Sequence, residues 1–209
     1  MAIEASHIRF ALDLKDKYQI KDLDKYISGT LYPDSRYVSK INRELTHPKE
    51  WAEWDISGFD DFKKGWLVHL ICDRTQYLVT KEKFPEIFEG QDAVHGNSRW
   101  IGHTALKILQ DIDDAKKIDV KQYLKCLDHV ENPNGEDINR VRHCNRIFQE
   151  MYADPSLLDI KSYYGMWVDF GIGEEMAQKV INKAIEFNMD KNAMNLMRQI
   201  YPEMLARII

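Results

Sequence analysis

The sequence has no closely spaced pair of cysteines. Its three, Cys72, Cys126 and Cys144, are far apart and odd in number, and no Cys-x-x-Cys occurs. That excludes a disulfide framework and a zinc ribbon and fits a reducing compartment, so a cytoplasmic location is expected. No basic run is present, which removes the electrostatic footprint of a nucleic-acid-binding protein. No apolar stretch reaches the roughly 20 residues needed to cross a bilayer. The opening residues, MAIEASHIRFALDLKDKY, include acidic side chains and lack the long apolar core of a secretory signal. No alternating Val/Ile/Thr run marks a strand. What is present is 209 residues, 44% hydrophobic and 11% aromatic, with a net charge of −5 spread along the chain. That is enough apolar material for one domain with its own core.

The periodicity predicts an all-α protein, a compact multi-helix bundle forming a single domain over 1–209. Residues 3–17 form an amphipathic helix with Ile3, His7, Phe10, Ala11 and Leu14 on one face. A helix over 20–28 is expected to stop at Gly29. Leu31 to Asp34 should then be extended, because the residue before a proline avoids the helical region. A short helix covers 35–45, and the most apolar helix covers 60–80, with Asp60 and Asp61 in its first turn where the helix dipole favours them. Helices over 98–113, 119–131 and 136–152 follow. The last two are expected over 173–187 and 190–207, with Asp190 as an N-cap. The stretch FPEIFEGQDAVHGN, 84–97, reads as a long loop.

Chemistry-bearing residues gather in the first third. Asp34, His47, His69 and Asp73 offer two carboxylates and two imidazoles, the donor set of a borderline divalent metal. His69 and Asp73 are four apart and share one helix face. Each also has a plain structural reading. His69 would be a core histidine hydrogen-bonded to Asp73 or to a backbone carbonyl. Asp34 would be an N-cap and His47 would close a turn.

Taken in order, His7, Gly29-x-x-x-Pro33-Asp34, Arg43-x-x-Thr46-His47 and Gly65-x-x-x-His69-x-x-x-Asp73 resemble the zinc-dependent phospholipase C / S1–P1 nuclease superfamily. The resemblance covers about residues 5–75. It implies an all-helical fold with a metal-ligand part over about 1–110 and C-terminal helices over about 119–209. It also implies a cluster of up to three zinc ions. His7, Asp34, His47 and His69 would be ligands, and Asp73 would bridge two ions. Members of that superfamily also use a mature N-terminal tryptophan, a histidine soon after the bridging aspartate, and a His-x-x-x-Glu pair. Here Met1 begins the sequence, Arg74-Thr75-Gln76-Tyr77 follow Asp73, and His103 is followed four positions on by Lys107. His95 and His103 are the candidate late ligands, each also readable as a loop or helix-start histidine.

The function implied is metal-dependent hydrolysis of a phosphate ester by a metal-bound hydroxide, with Zn as the ion, or Mn or Fe. Asp73 would hold the metal and Asp34 would serve as base, with Glu86, Glu89 and Asp92 as other candidates for that role. Arg43 or Arg36 would neutralise the phosphate. The partner would be a small-molecule phosphate ester. Three alternatives stand beside it. A His-Asp phosphohydrolase needs an adjacent His-Asp pair, whereas this chain has Asp128-His129 in reverse. A non-catalytic helical module could retain a reduced metal site or none, and a plain interaction protein would use every polar residue structurally. His129 and His143 receive no role. Trp51 and Trp54 are candidates to flank a substrate entrance.

Overall fold

The computed structural model describes residues 3–89 and 97–208. All regular structure among them is helical. The helices are α1 Glu4–Leu14, α2 Leu23–Leu31, α3 Arg36–Ser39, α4 Arg43–Thr46, α5 Asp61–Lys83, α6 Pro85–Phe88, α7 Ser98–Ala115, α8 Ile138–Met151, α9 Ser162–Asp169, α10 Glu174–Met189 and α11 Lys191–Ala206. Tight 3-10 turns occupy Tyr32–Ser35, Lys49–Glu53, Val120–Asp128 and Pro155–Leu157.

The centre of the fold is α5. Residues on every side of it are buried, from Phe62, Trp66 and Val68 to Cys72, Gln76 and Val79. A helix apolar all round belongs inside a protein rather than on its surface. Asp60 caps it by accepting from the backbone N–H of Lys63 at 2.9 Å. Asp61 instead ties down the preceding chain, accepting from the N–H groups of Lys21 and Asp22.

Helix α2 crosses α5 at backbone contact. A Cβ added to Gly29 would lie 2.0 Å from the Phe62 carbonyl oxygen, and one added to Gly65 would lie 2.0 Å from that of Tyr26. Gly29 therefore does not end its helix, as the sequence suggested. It sits inside α2, where lack of a side chain lets the two backbones touch. The crossing also brings the Thr30 carbonyl against His69, one turn beyond Gly65.

Three other expectations change. Leu31 to Asp34 is not extended. Pro33 stands early in a 3-10 turn, where its missing N–H leaves no bond unmade. The segment 35–45 is two single-turn helices divided at Lys40, whose φ of 62° takes the left-handed conformation. The helix expected over 119–131 is a 3-10 stretch, and α9 has no counterpart in the periodicity. The last two helices fall close to where they were expected, and Asp190 caps α11 by accepting from the N–H groups of Asn192 and Ala193.

Candidate metal centre

Five of the sequence-selected residues converge in the interior. His7 comes from α1, Asp34 from the turn after α2, His47 from the end of α4, and His69 and Asp73 from α5. His7 and His69 are 0% exposed, Asp34 3%, and His47 and Asp73 8% each. Two groups, His7/Asp34/His69 and His47/His69/Asp73, have ligand atoms within 4.8 Å of one another and could hold a metal ion.

The second group is fixed in orientation. His69 Nδ1 lies 2.9 Å from the Thr30 carbonyl oxygen. A carbonyl only accepts, so Nδ1 carries the proton and Nε2 presents its lone pair. Thr46 Oγ1 donates to the Arg43 carbonyl at 3.2 Å and lies 2.9 Å from His47 Nδ1. With its proton committed to Arg43, the hydroxyl accepts from Nδ1, so His47 Nε2 also presents a lone pair. The two Nε2 atoms face each other at 3.2 Å. Asp73 Oδ2 lies 3.4 Å from His47 Nε2 and 3.6 Å from His69 Nε2. Ligands about 2.0–2.1 Å from a tetrahedral ion are about 3.3–3.4 Å from one another. The triangle has those dimensions.

His7 stacks on His69 with centroids 3.9 Å apart and rings 11° from parallel. Among the described residues, neither His7 nitrogen has a hydrogen-bond partner, and Asp34 Oδ1 has none either. His7 Nε2 is 3.9 Å from Asp34 Oδ2 and 3.6 Å from Asp73 Oδ1. These distances are too long for hydrogen bonds and suit donors that share an ion. Asp73 thus turns one oxygen to His47 and His69 and the other to His7. A buried imidazole without partners is costly unless something positive satisfies it. The donor set, its burial and its orphaned atoms fit a divalent cation.

Burial lowers the pKa of His7, His47 and His69, the last to about 4, so the imidazoles are neutral at pH 7. The carboxylates diverge. Burial, with Asp73 adding to it, raises Asp34. Burial acts in the same direction on Asp73, but opposing electrostatic interactions outweigh it and hold this carboxyl well below its ordinary range.

The other candidates are placed differently. His95 and Asp92 lie outside the described residues. His103, on α7, packs its ring against Phe88 at 5.3 Å and Tyr77 at 5.9 Å, and it joins neither ligand-spaced group. Glu86 and Glu89 are exposed and join neither group. Arg36 is half-buried, stacked on the Tyr37 ring at 4.1 Å, and its charge acts on Asp34 and His47. Arg43 is exposed and acts on His47. His129 pairs with Glu131, and His143 is exposed. Asp34 caps no helix through its side chain, so that simpler reading fails. The plain reading of His69 holds in part, since the carbonyl bond exists beside the exposed lone pair. Trp54 lines a cleft of about 580 Å³ with Phe62 and Trp66. Trp66 Nε1 donates to the Thr46 carbonyl, which places this cleft next to His47.

The Thr30 carbonyl and the Thr46 hydroxyl, which fix the two tautomers, were not assigned those roles from the sequence. A backbone carbonyl has no residue-type signal, and Thr46 stood only as a motif position. No family model matches this chain, and no curated protein or solved structure does.

Proposed function

We propose that the buried His/Asp cluster is the divalent-metal centre of a phosphoester hydrolase of the phospholipase C / S1–P1 nuclease type, acting on a small-molecule phosphate ester. The supporting observation is the triangle of His47 Nε2, His69 Nε2 and Asp73 Oδ2, with both imidazoles locked by their Nδ1 partners. Two nitrogens and a carboxylate oxygen at tetrahedral spacing favour zinc, with manganese or iron as substitutes. Free, buried Cys72, Cys126 and Cys144 suit a reducing, cytoplasmic setting.

When bound, a divalent ion supplies Lewis acidity and brings the pKa of a coordinated water near neutrality. The chain supplies the rest. Thr30 and Thr46 hold the imidazoles in the ligating tautomer, the outer-shell role that commonly sets metal affinity. Asp73 keeps its negative charge among three imidazoles. Asp34, with its higher proton affinity and an unbonded oxygen, takes the proton from the attacking water. Arg36 offers a guanidinium to phosphate oxygens at the edge of the centre.

The test combines metal analysis with turnover. Protein purified without chelator should carry stoichiometric metal. It should hydrolyse a nitrophenyl phosphate mono- or diester, with activity removed by chelation and restored by Zn²⁺. Asp34→Asn should keep the metal held by His47, His69 and Asp73 and lose at least about 10²-fold in kcat, the scale of a lost acid–base group. Absence of stoichiometric metal, with no rescue on adding it, would overturn the proposal. A second reading is favoured by the closure of the site, since no ligand exceeds 8% exposure. Structural metal sites are closed and catalytic ones keep an open position. Bound metal that stabilises the fold, without turnover of any ester, would select a binding module with a structural ion.

A further inference from the structure

A cavity of about 420 Å³ opens on the face made by α7, α10, α11 and the chain leading into α9. It shares no residue with the metal centre or with the cleft at Trp54. Small-molecule sites commonly enclose about 300–1,000 Å³, with an apolar lining and a few polar groups that fix orientation. The floor here is aliphatic. Leu109 of α7 and Leu158 are buried, while Ile112 of α7, Ile185 of α10 and Met194 of α11 are half-buried and line the hollow. Water against such a floor is unfavourable, and an apolar group that displaced it would be stabilised by burial.

The charges at the rim are sorted. Two acids line the cavity, and both are engaged. Asp113 pairs with Lys117 at 2.6 Å. Asp159 accepts from the N–H and the hydroxyl of Ser162 at 3.0 and 3.1 Å. Three cations line it as well: Lys116 just after α7, Lys161 just before α9, and Arg198 on α11. All three are exposed, and among the described residues none has a hydrogen bond or ion pair through its side chain. Elsewhere on the surface Lys83, Lys179, Lys183 and Arg207 each hold a carboxylate. One exposed lysine without a partner is ordinary. Here three separate segments of a chain with net charge −5 place unneutralised cations around one aliphatic hollow whose own acids are already used. That is the electrostatic complement of an amphipathic anion.

We propose that this cavity binds a small amphipathic carboxylate. Its aliphatic body lies on the floor of Leu109, Leu158, Ile185 and Met194. Its head reaches the rim, where the Arg198 guanidinium can hold it bidentately and the Lys116 and Lys161 ammoniums neutralise it. The site goes beyond the metal reading and stands whether or not the metal centre turns over an ester.

Decanoate is the probe, titrated calorimetrically into metal-free protein so that no bound metal can take the carboxylate. Wild type is compared with Lys116→Gln/Lys161→Gln/Arg198→Gln, whose three positions are exposed, and circular dichroism verifies folding. Wild type should bind one decanoate per chain, and the triple variant should bind it at least about 10-fold more weakly, the sum of three modest charge contacts. Decanol, the same body without the charge, should bind wild type more weakly than decanoate by a similar factor. Met194→Glu, which sets a like charge in the floor, should also weaken decanoate. No binding of decanoate by wild type overturns the proposal. Equal affinity of wild type and the triple variant overturns it by placing the ligand elsewhere, and equal affinity for decanol and decanoate overturns it because the cations then read nothing. If the triple variant does not fold, Arg198→Gln alone decides, and an affinity equal to wild type overturns the proposal. A wild type that is dimeric by size exclusion, with a monomeric triple variant, would show a second copy covering the cavity and would overturn it as well.

Discussion

Two buried polar clusters lie side by side in this protein, and they treat their charges in opposite ways. Around Asp111, which is 0% exposed, every requirement is met. It accepts from Tyr152 Oη at 2.5 Å, from Tyr163 Oη at 2.6 Å and from the Ser6 N–H at 2.9 Å. Asp114, equally buried, accepts from Ser6 Oγ at 2.7 Å and from Arg9 at 2.5 Å. Around Asp73 the picture reverses. Two lone pairs face each other at 3.2 Å, and among the described residues both His7 nitrogens lack partners and an Asp34 oxygen is unsatisfied. Both places hold a pair of buried aspartates. What separates a structural network from a ligand cluster is whether the protein itself completes the hydrogen bonds.

Removing what completes each cluster tests this contrast, and gives the largest expected effects. Chelation should destabilise wild-type protein by about 4 kcal/mol relative to protein held at about 1,000 times its metal Kd, a fall of roughly 8–16 °C in Tm. Zinc should reverse it. Asp111→Asn should lose about 3–5 kcal/mol by leaving buried donors without an acceptor. That loss should be the same with or without metal. Urea unfolding of both proteins in zinc and in chelator checks the pair. A wild-type curve indifferent to chelator erases the distinction.

How much of this was legible in the sequence depends on the kind of signal. Helix α5 was readable from its apolar run, and Asp190 from its cap chemistry. His7, Asp34, His47, His69 and Asp73 were readable because their order and spacing persist through the fold. The structure adds why Gly29 and Gly65 belong to that pattern, since they let α2 and α5 touch. The Asp111 network was not legible. Its parts, Ser6, Asp111, Tyr152 and Tyr163, span more than 150 residues with no local pattern, and tyrosines in an apolar face read as core. Two-turn breaks such as Lys40 were equally hidden, because a left-handed lysine has no compositional mark.

A smaller effect probes how the ligand cluster is held. Thr46 is fully buried, and its hydroxyl is the acceptor that leaves His47 Nε2 free. Thr46→Val keeps the shape and removes the oxygen. Metal affinity should fall 10–100-fold, about 1.4–2.7 kcal/mol, as is usual when an outer-shell partner is lost. Isothermal titration with zinc measures it. The metal-free variant should fold normally. An unchanged affinity would mean that His47 does not depend on that hydroxyl for its tautomer, or does not bind the ion.

The smallest effect is a difference of sign with pH in metal-free protein. Burial holds His69 near pKa 4, while an unfolded chain returns it to 6.5. Between those values the unfolded state binds more protons, so the contribution of His69 is complete above about 6.5 and is lost as pH falls towards 4. Asp111 behaves oppositely. Burial raises it from 3.8 to about 6, so the native state binds more protons in that window and stability is lost as pH rises through it. Between about pH 4 and 6 the two clusters therefore oppose each other, by about 1 kcal/mol per pH unit apiece. Removing either should expose the other. Metal-free His69→Gln should lose less stability than wild type between pH 6.5 and 4.5, and metal-free Asp111→Asn should lose more. Unfolding free energies at pH 4.5, 5.5 and 6.5 resolve the slopes. If both variants keep the wild-type slope, neither cluster carries the protonation difference assigned to it, and the contrast between them reduces to hydrogen bonding alone.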